Sequence, residues 1–448
     1  MTSKQQLVLF IAILASLVAF LDGSVVGVAL PQISNELGGG LLIQQWVNDA
    51  YLITLGTLIL AAGSLSDIFG RKKILTIGLV GFLVTSLLCA VAQTGEQLVI
   101  ARGLQGVAGA LLVPSSLALI ISAFSGPAQS KAIGRWTSWT GIAFIIGPLV
   151  GGLLVDLYSW RLVFAINVVP ITLALILASR LEIEEKIKDR ARIDVWGIIL
   201  GAAGLGGVVY ALIEQGNYSW AHPIVWGTFT AGLLCLLLFV LHERKTHQPM
   251  LPLELFRIQN FSVGNIATFL IYAALSLQGF LLVIFLQQVS GYSATVAGLA
   301  SVPITILMFF LSARFGALSG KYGPRLFMAI GPIIAGIGTM TMLFADVPTN
   351  YWTQLLPGIV LFGLGLSITV APLTSAILGS IKSSQAGIGS AVNNAVARIA
   401  GLLSVAMIGL FIGGEVNLSG FHTGIFVCSA LLIAGGIVSA IGIRNESS

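Results

Sequence analysis

The chain has 448 residues, 56% of them hydrophobic and 9% charged, with 22 Lys and Arg against 17 Asp and Glu. A soluble domain carries about 25% charged residues, so this composition excludes one and points to an integral helical membrane protein built from apolar runs of about 20 residues. The formal net charge of +5 implies no nucleic-acid partner, because nearly all the cations lie in short loops on one expected side of the membrane.

Fourteen apolar segments read as membrane helices, over residues 7–30, 43–62, 74–92, 97–121, 132–155, 161–179, 195–214, 222–241, 260–287, 295–314, 326–345, 353–377, 386–412 and 422–443. The first follows a lone Lys4 and has no small-residue cleavage site, so it reads as a retained helix rather than a signal peptide. An even number of helices places both termini on one side. Of the 22 Lys and Arg, 19 then fall in segments on that side, which the positive-inside rule identifies as cytoplasmic. Arg161 falls at an outer end, and Arg102 and Arg398 lie within helices. Cys89, Cys235 and Cys428 lie in apolar runs and read as small core residues. His222, His242, His247 and His422 fall in loops or at helix ends without metal-ligand spacing, so no metal is expected.

The loop after the second helix, GSLSDIFGRKK (Gly63–Lys73), reads as a tight hairpin with turn-forming glycines at Gly63 and Gly70. A second copy stands at Gly316–Arg325, GALSGKYGPR, so the chain reads as an internal duplication. Residues 1–192 and 258–448 form two six-helix lobes, and 193–257 hold two inserted helices and a linker. The longest charged stretch, Glu182–Asp194, joins the first lobe to the insertion. In the fifth helix Gly141, Gly147, Gly151 and Gly152 flank Pro148, and Gly147 and Gly151 make a GxxxG face for close helix approach.

Seven motifs, in order and at the right helix ends, carry a family resemblance. They are LDGSVVGVALP (Leu21–Pro31), GSLSDIFGRKK, RGLQGVAGALLVP (Arg102–Pro114), GIAFIIGPLVGG (Gly141–Gly152), WRLVFAIN (Trp160–Asn167), IDVWG (Ile193–Gly197) and HERKTHQPMLPLELFRIQNF (His242–Phe261). Together the sequence resembles the major facilitator superfamily, specifically its fourteen-helix drug:proton antiporter branch. The resemblance implies an all-α major-facilitator fold of two lobes around a central cavity, moving by alternating access, with helix 5 carrying the antiporter motif. It departs from the family where Gly320 replaces the acid Asp67 in the second loop copy, and where the tenth helix lacks an acid.

Asp22 is the sharpest candidate for chemistry. A charged group within a membrane helix costs roughly 2.5–3.5 kcal/mol on insertion scales and marks a functional site by default. A structural hydrogen bond to a neighbouring helix is the competing reading. Asp49, near the outer end of helix 2, reads equally as a proton carrier or as an interfacial residue beside Trp46 and Tyr51. At about 1.5 Å per residue, Asp22, Asp49 and Arg102 lie roughly 12, 9 and 8 Å below the outer helix ends. The expectation is therefore that Arg102 pairs with an acid in the outer half of the first lobe and that a proton breaks the pair; a static ion pair is the alternative.

Asn393, Asn394 and Arg398 on helix 13, with Tyr272 and Gln278 on helix 9, are candidates for the substrate cavity, Arg398 reading equally as a snorkelling cation. Asp67, Gly70, Arg71 and Arg135 are candidates for a cytoplasmic gate, Asp67 accepting from a helix N-terminus or pairing with a cation. No phosphate-cradling GxxxxGK[ST] is present, so transport driven by ATP is not expected.

The resulting reading is a proton-coupled antiporter that exports lipophilic, cationic or neutral drugs or toxic compounds. It needs no cofactor beyond the proton gradient and is expected to be a monomer in the cell membrane with both termini cytoplasmic. Its partners are a small-molecule substrate, protons and the bilayer; it is not an enzyme. Two alternatives stay open: a major-facilitator exporter of one metabolite, lipid or siderophore, and a non-transporting membrane sensor on the same scaffold.

Overall fold

The computed structural model describes residues 2–181, 194–246, 249–382, 385–412 and 416–445, and among them the chain is helical without strands. The first half contains α1 (Ser3–Leu37), α2 (Gly40–Phe69), α3 (Arg71–Val91), α4 (Gly95–Ala123), α5 (Gly126–Leu157), α6 (Leu162–Ala165) and α7 (Val168–Ser179). The insertion contributes α8 (Val195–Tyr218) and α9 (Pro223–Glu243). The second half contains α10 (Gln259–Ile284), α11 (Ala294–Leu299), α12 (Val302–Tyr322), α13 (Pro324–Thr341), α14 (Leu356–Gly379), α15 (Ala386–Ala406), α16 (Ile408–Ile412) and α17 (Leu418–Gly442). Thirteen helical stretches among the described residues are long and apolar enough to cross a membrane. The 30-residue α2 stands in the place of the second predicted span. The protein is an all-α integral membrane protein.

Local chemistry explains where the helices depart from the sequence expectation. Thr2 and Gln5 form a capping box at the start of α1, each side chain bonding the other's backbone N–H. The helix then runs through Pro31, which removes a single backbone donor, and ends seven residues past the predicted boundary at the positive-φ pair Gly38 and Gly39. The hairpin expected over Gly63–Lys73 is corrected. Gly63 lies within α2, because GSLSDIF contains no proline and one helical glycine costs only about 0.5–1 kcal/mol. Gly70 alone, at φ +95°, makes the reversal, and Arg71–Lys73 form the first turn of α3. Gly323, at φ +84°, does the same between α12 and α13. The sixth predicted span breaks at Ile166–Asn167, where Asn167 N donates three residues back to Phe164 O at 3.2 Å.

The chain packs as two compact units, Met1–Val208 with Gly227–Met250, and Val209–Trp226 with Leu251–Ser448. The segment 193–257, expected as a separate insertion, is shared between them. The linker residues 182–193 lie outside the described residues.

Each unit repeats the same close approaches. In the first, a methyl group on Gly147 of α5 would collide with Ser24 Oγ of α1, and one on Gly106 of α4 with Tyr51 O and Thr54 Oγ1 of α2. In the second, Gly401 of α15 meets Ser276 of α10, and Gly363 of α14 meets Ile304 and Leu307 of α12. Ile304 and Leu307 stand to Tyr51 and Thr54 at the offset that relates Gly316 to Gly63. The duplication read from one loop thus extends to helix packing. In the insertion, Gly204, Gly207 and Gly232 bring α8 and α9 together. Leu233, Leu234, Leu237, Leu238 and Leu241 of α9 stay exposed, an apolar flank suited to acyl chains. Asp194 Oδ1 caps α8, accepting from Gly197 N at 2.9 Å and bonding His242 Nε2 of α9 at 2.7 Å.

Candidate functional site: a buried ion pair in the first unit

Four helical elements and one helix break carry polar side chains into the interior of the first unit. Asp22 comes from α1, Tyr51 from α2, Ser86 and Cys89 from α3, Arg102 and Gln105 from α4, and Asn167 from the break between α6 and α7. Residues three apart share a helix face, which puts Arg102 with Gln105 and Ser86 with Cys89. All of these side chains are buried.

Arg102 Nη1 donates to Asp22 Oδ2 at 2.6 Å and to Gln105 Oε1 at 2.7 Å. Arg102 Nε donates to Val47 O at 3.0 Å. Asp22 Oδ1 accepts from Gln105 Nε2 and from Asn167 Nδ2, each at 3.0 Å. Gln105 Nε2 also reaches Ser86 Oγ at 3.0 Å, and Cys89 Sγ reaches Gln105 Oε1 at 3.6 Å. The guanidinium lies over the Tyr51 ring, 4.3 Å from its centroid, and 5.7 Å from that of Phe164. The carboxylate thus has three donors and one counter-charge, all out of water. In such a site the pair holds only while both partners are charged: neutralising one leaves the other buried without compensation. A proton on Asp22 therefore changes the energy of the whole cluster.

Of the two acids expected at this depth, Asp22 pairs with Arg102 and Asp49 does not join the cluster. Asp49 lies two residues from Val47 and two from Tyr51, the α2 residues that touch Arg102. At 3.6 residues per turn, two residues turn the chain to the opposite side of the helix. Depth placed the three groups at one level, and azimuth separates them. Asp49 is buried, its Oδ1 accepts from Asn48 Nδ2 at 2.9 Å, and its Oδ2 has no protein partner.

Among the described residues, the corresponding positions of the second unit hold no charged pair. The shared register places Ala274, two residues before Ser276, where Asp22 precedes Ser24, and Ile359, four before Gly363, where Arg102 precedes Gly106. Both are buried apolar residues. Gln278, one turn beyond Ala274, is buried and accepts from Thr339 Oγ1 of α13 at 2.8 Å. Asn393 Nδ2 joins α15 to α10, donating to Thr268 Oγ1 at 2.8 Å and Asn265 Oδ1 at 3.2 Å. Asn394 is exposed and donates to Ser390 O one turn back. Arg398 and Tyr272 are half-buried and close enough to interact electrostatically.

Of the gate candidates, the Asp67 side chain lies outside the described residues. Gly70 forms the turn, Arg71 opens α3, and Arg135 is exposed on α5. Lys72 Nζ donates to Leu181 O at 2.5 Å, tying this loop to the chain leaving α7. Within α5, Gly147 and Gly151 pack on Ser24 and Val25 of α1, Gly152 is buried, and Pro148 lies inside the helix. Gly141 faces open space.

Sequence reasoning missed Gln105, Ser86, Asn167 and the contact of Tyr51. The signal was present as single polar residues inside apolar runs, in RGLQG and WRLVFAIN. WRLVFAIN also supplies an outer clasp. Trp160 Nε1 donates to Glu36 Oε2 at 2.7 Å, Arg161 pairs with Glu36 Oε1, and Arg161 Nη2 donates to Ala92 O at 3.0 Å.

Comparison with known proteins places this architecture. The Methylenomycin A resistance protein of Bacillus subtilis is 34% identical over 410 residues, covering 90% of this chain and 87% of that protein. The puromycin resistance protein of Streptomyces alboniger is 34% identical over 416 residues, covering 89% and 80%. The crystal structure of a D-xylose-proton symporter superposes with a TM-score of 0.69 at 14% identity, covering 99% of each chain, a likeness of fold alone. The sequence profile of the Major Facilitator Superfamily matches residues 12–405 and 266–446. Spanning nearly the whole chain, these matches show that the chain belongs to the Major Facilitator Superfamily.

Proposed function

We propose that this protein is a proton-coupled antiporter that exports lipophilic drugs or toxic compounds, cationic or neutral, by alternating access in the cell membrane, with both termini cytoplasmic. The observation that carries the reading is the dry Asp22–Arg102 pair, an acid that exchanges its proton only by releasing a buried cation. The two six-helix halves, residues 1–192 and 258–448, are the bodies that move. Proton arrival at Asp22 removes the counter-charge of Arg102 and shifts the balance between inward-open and outward-open states; proton departure restores the pair. Energy comes from the proton gradient, with no other cofactor. Asp49, buried with one carboxyl oxygen unpartnered, is a second proton carrier. Asn393, Asn394, Arg398, Tyr272 and Gln278 supply polar contacts for substrate. Asp67, Gly70, Arg71 and Arg135 act at the cytoplasmic gate. Relatives named for antibiotic resistance support the export reading.

The test is proton flux in proteoliposomes with an acid interior and a trapped pH dye, adding lipophilic cations and neutral drugs one at a time. Proton release on addition of a compound, lost in Asp22→Asn, is the expected result. Release that persists in Asp22→Asn would move the coupling to another acid. One observation favours a narrower second reading: each of the two relatives is named for a single antibiotic. An exporter dedicated to one compound would respond to one member of the panel.

A further inference from the structure

Among the donors to Asp22, one amide is used at one end only. Gln105 is engaged at both ends: Oε1 accepts from Arg102, and Nε2 donates to Asp22 and Ser86. Asn167 Nδ2 donates to Asp22 Oδ1 at 3.0 Å and points to Ser86 Oγ at 3.4 Å. Asn167 Oδ1 has no partner, although the residue has no exposed surface. A buried amide oxygen without a donor is unfavourable and rare in folded proteins. Here it stands on the group that already touches the carboxylate.

A side-chain amide carries donors at one end and an acceptor at the other. A carboxylate only accepts, whereas a carboxylic acid also donates. A half-turn of the Asn167 amide exchanges its NH2 for its oxygen in front of Asp22. We propose that Asn167 is a positioning residue that reads the protonation state of Asp22: its NH2 donates to the carboxylate, and its oxygen accepts from the carboxylic acid. The oxygen idle in this structure is the partner of the protonated state. The proton comes from water and returns to water, and no other bond forms or breaks. This rests on the reading of Asp22 as the coupling carboxyl.

The charged and titratable groups around Asp22 are Arg102 of α4, Cys89 of α3 and Tyr51 of α2. Against α1 here, α5 presents Gly147 and Gly151, and the α6–α7 segment presents Asn167. None of these except Asn167 offers Asp22 an idle acceptor in this structure. When the proton arrives, Arg102 keeps Val47 O, Gln105 Oε1 and the Tyr51 ring, while the amide takes over Asp22. Asn167 thereby stabilises both protonation states and keeps Asp22 in one position through the exchange.

The experiment is infrared difference spectroscopy of the purified full-length protein during acid titration, paired with proton release from proteoliposomes. It compares wild type, Asp22→Asn, Asn167→Leu and Asn167→Ser. The wild type is expected to gain a carboxylic C=O band on acidification that Asp22→Asn removes. In Asn167→Leu, which keeps the shape and loses both hydrogen-bonding ends, the band should move in frequency. The pH midpoint of proton release should rise with it, by about one unit, because the hydrogen bond lost to the charged carboxylate is stronger than the one lost to the neutral acid. Asn167→Ser should fall between, and carries the test if the leucine variant does not fold. An Asp22-dependent band whose frequency and midpoint are indifferent to both Asn167 variants overturns this proposal and leaves the coupling role of Asp22 intact. A wild type without an Asp22-dependent band at any pH overturns both.

Discussion

Asp22 and Arg102, eighty positions apart in the chain, meet at 2.6 Å with 0% and 2% of their side chains exposed. A pair at this depth is a poor source of stability, because the cost of taking two charges out of water roughly offsets their attraction. Its consequence appears when one partner is removed. Asp22→Asn and Arg102→Leu should each destabilise the protein by about 3–5 kcal/mol, and the double variant by clearly less than the two effects added. Thermal unfolding in detergent measures this. Additive losses would mean that the two charges do not depend on one another.

The glycines of the fifth predicted helix separate into two kinds. Gly147 lies against Ser24, where a methyl group has no room, whereas a methyl group on Gly141 meets nothing within 4 Å. Gly147→Ala should lower the melting temperature, as expected for overpacking worth about 1–3 kcal/mol, and should reduce transport. Gly141→Ala should leave both close to wild type. Equal losses in the two variants would assign the motif a role other than helix approach.

The loop glycines make a parallel contrast. Gly70 holds a φ of +95°, a region nearly closed to other residues, and Gly63 is helical. Gly70→Ala should cost about 1–3 kcal/mol in strain. Gly63→Ala should stabilise by about 0.5–1 kcal/mol, the helical preference of alanine. Thermal unfolding of the two variants decides the matter, and a Gly63 variant worse than the Gly70 variant would contradict the assigned turn.

The correspondence of helix packing within each unit is also open to test. Ala274 and Ile359 occupy the places of Asp22 and Arg102. Ile359→Arg alone should destabilise strongly, by about 3 kcal/mol or more, since it buries a charge without a partner. Adding Ala274→Asp should recover part of that loss, read as a favourable coupling energy in a double-mutant cycle. No recovery would show that the two positions do not face one another.

Much of this protein is legible from composition and order alone. Apolar runs long enough to span a bilayer, cations concentrated in alternate loops, and a loop repeated at Gly63 and Gly316 determine an all-α membrane protein built from two related halves. Each of these depends on positions along the chain, and the bilayer constrains them one dimension at a time. Asp22 and Arg102 also stood out, because a charge inside an apolar run is costly wherever its helix packs. Only the tertiary structure decided which way each charge faces. Asp49 matched Asp22 and Arg102 in depth, and two residues of helical turn put it on the other side of α2. Gln105 and Asn167 carried no cost visible in sequence, since an amide is neutral, and their importance comes from the carboxylate that they touch. Depth follows from counting residues along a helix; azimuth and partnership follow from how the helices pack.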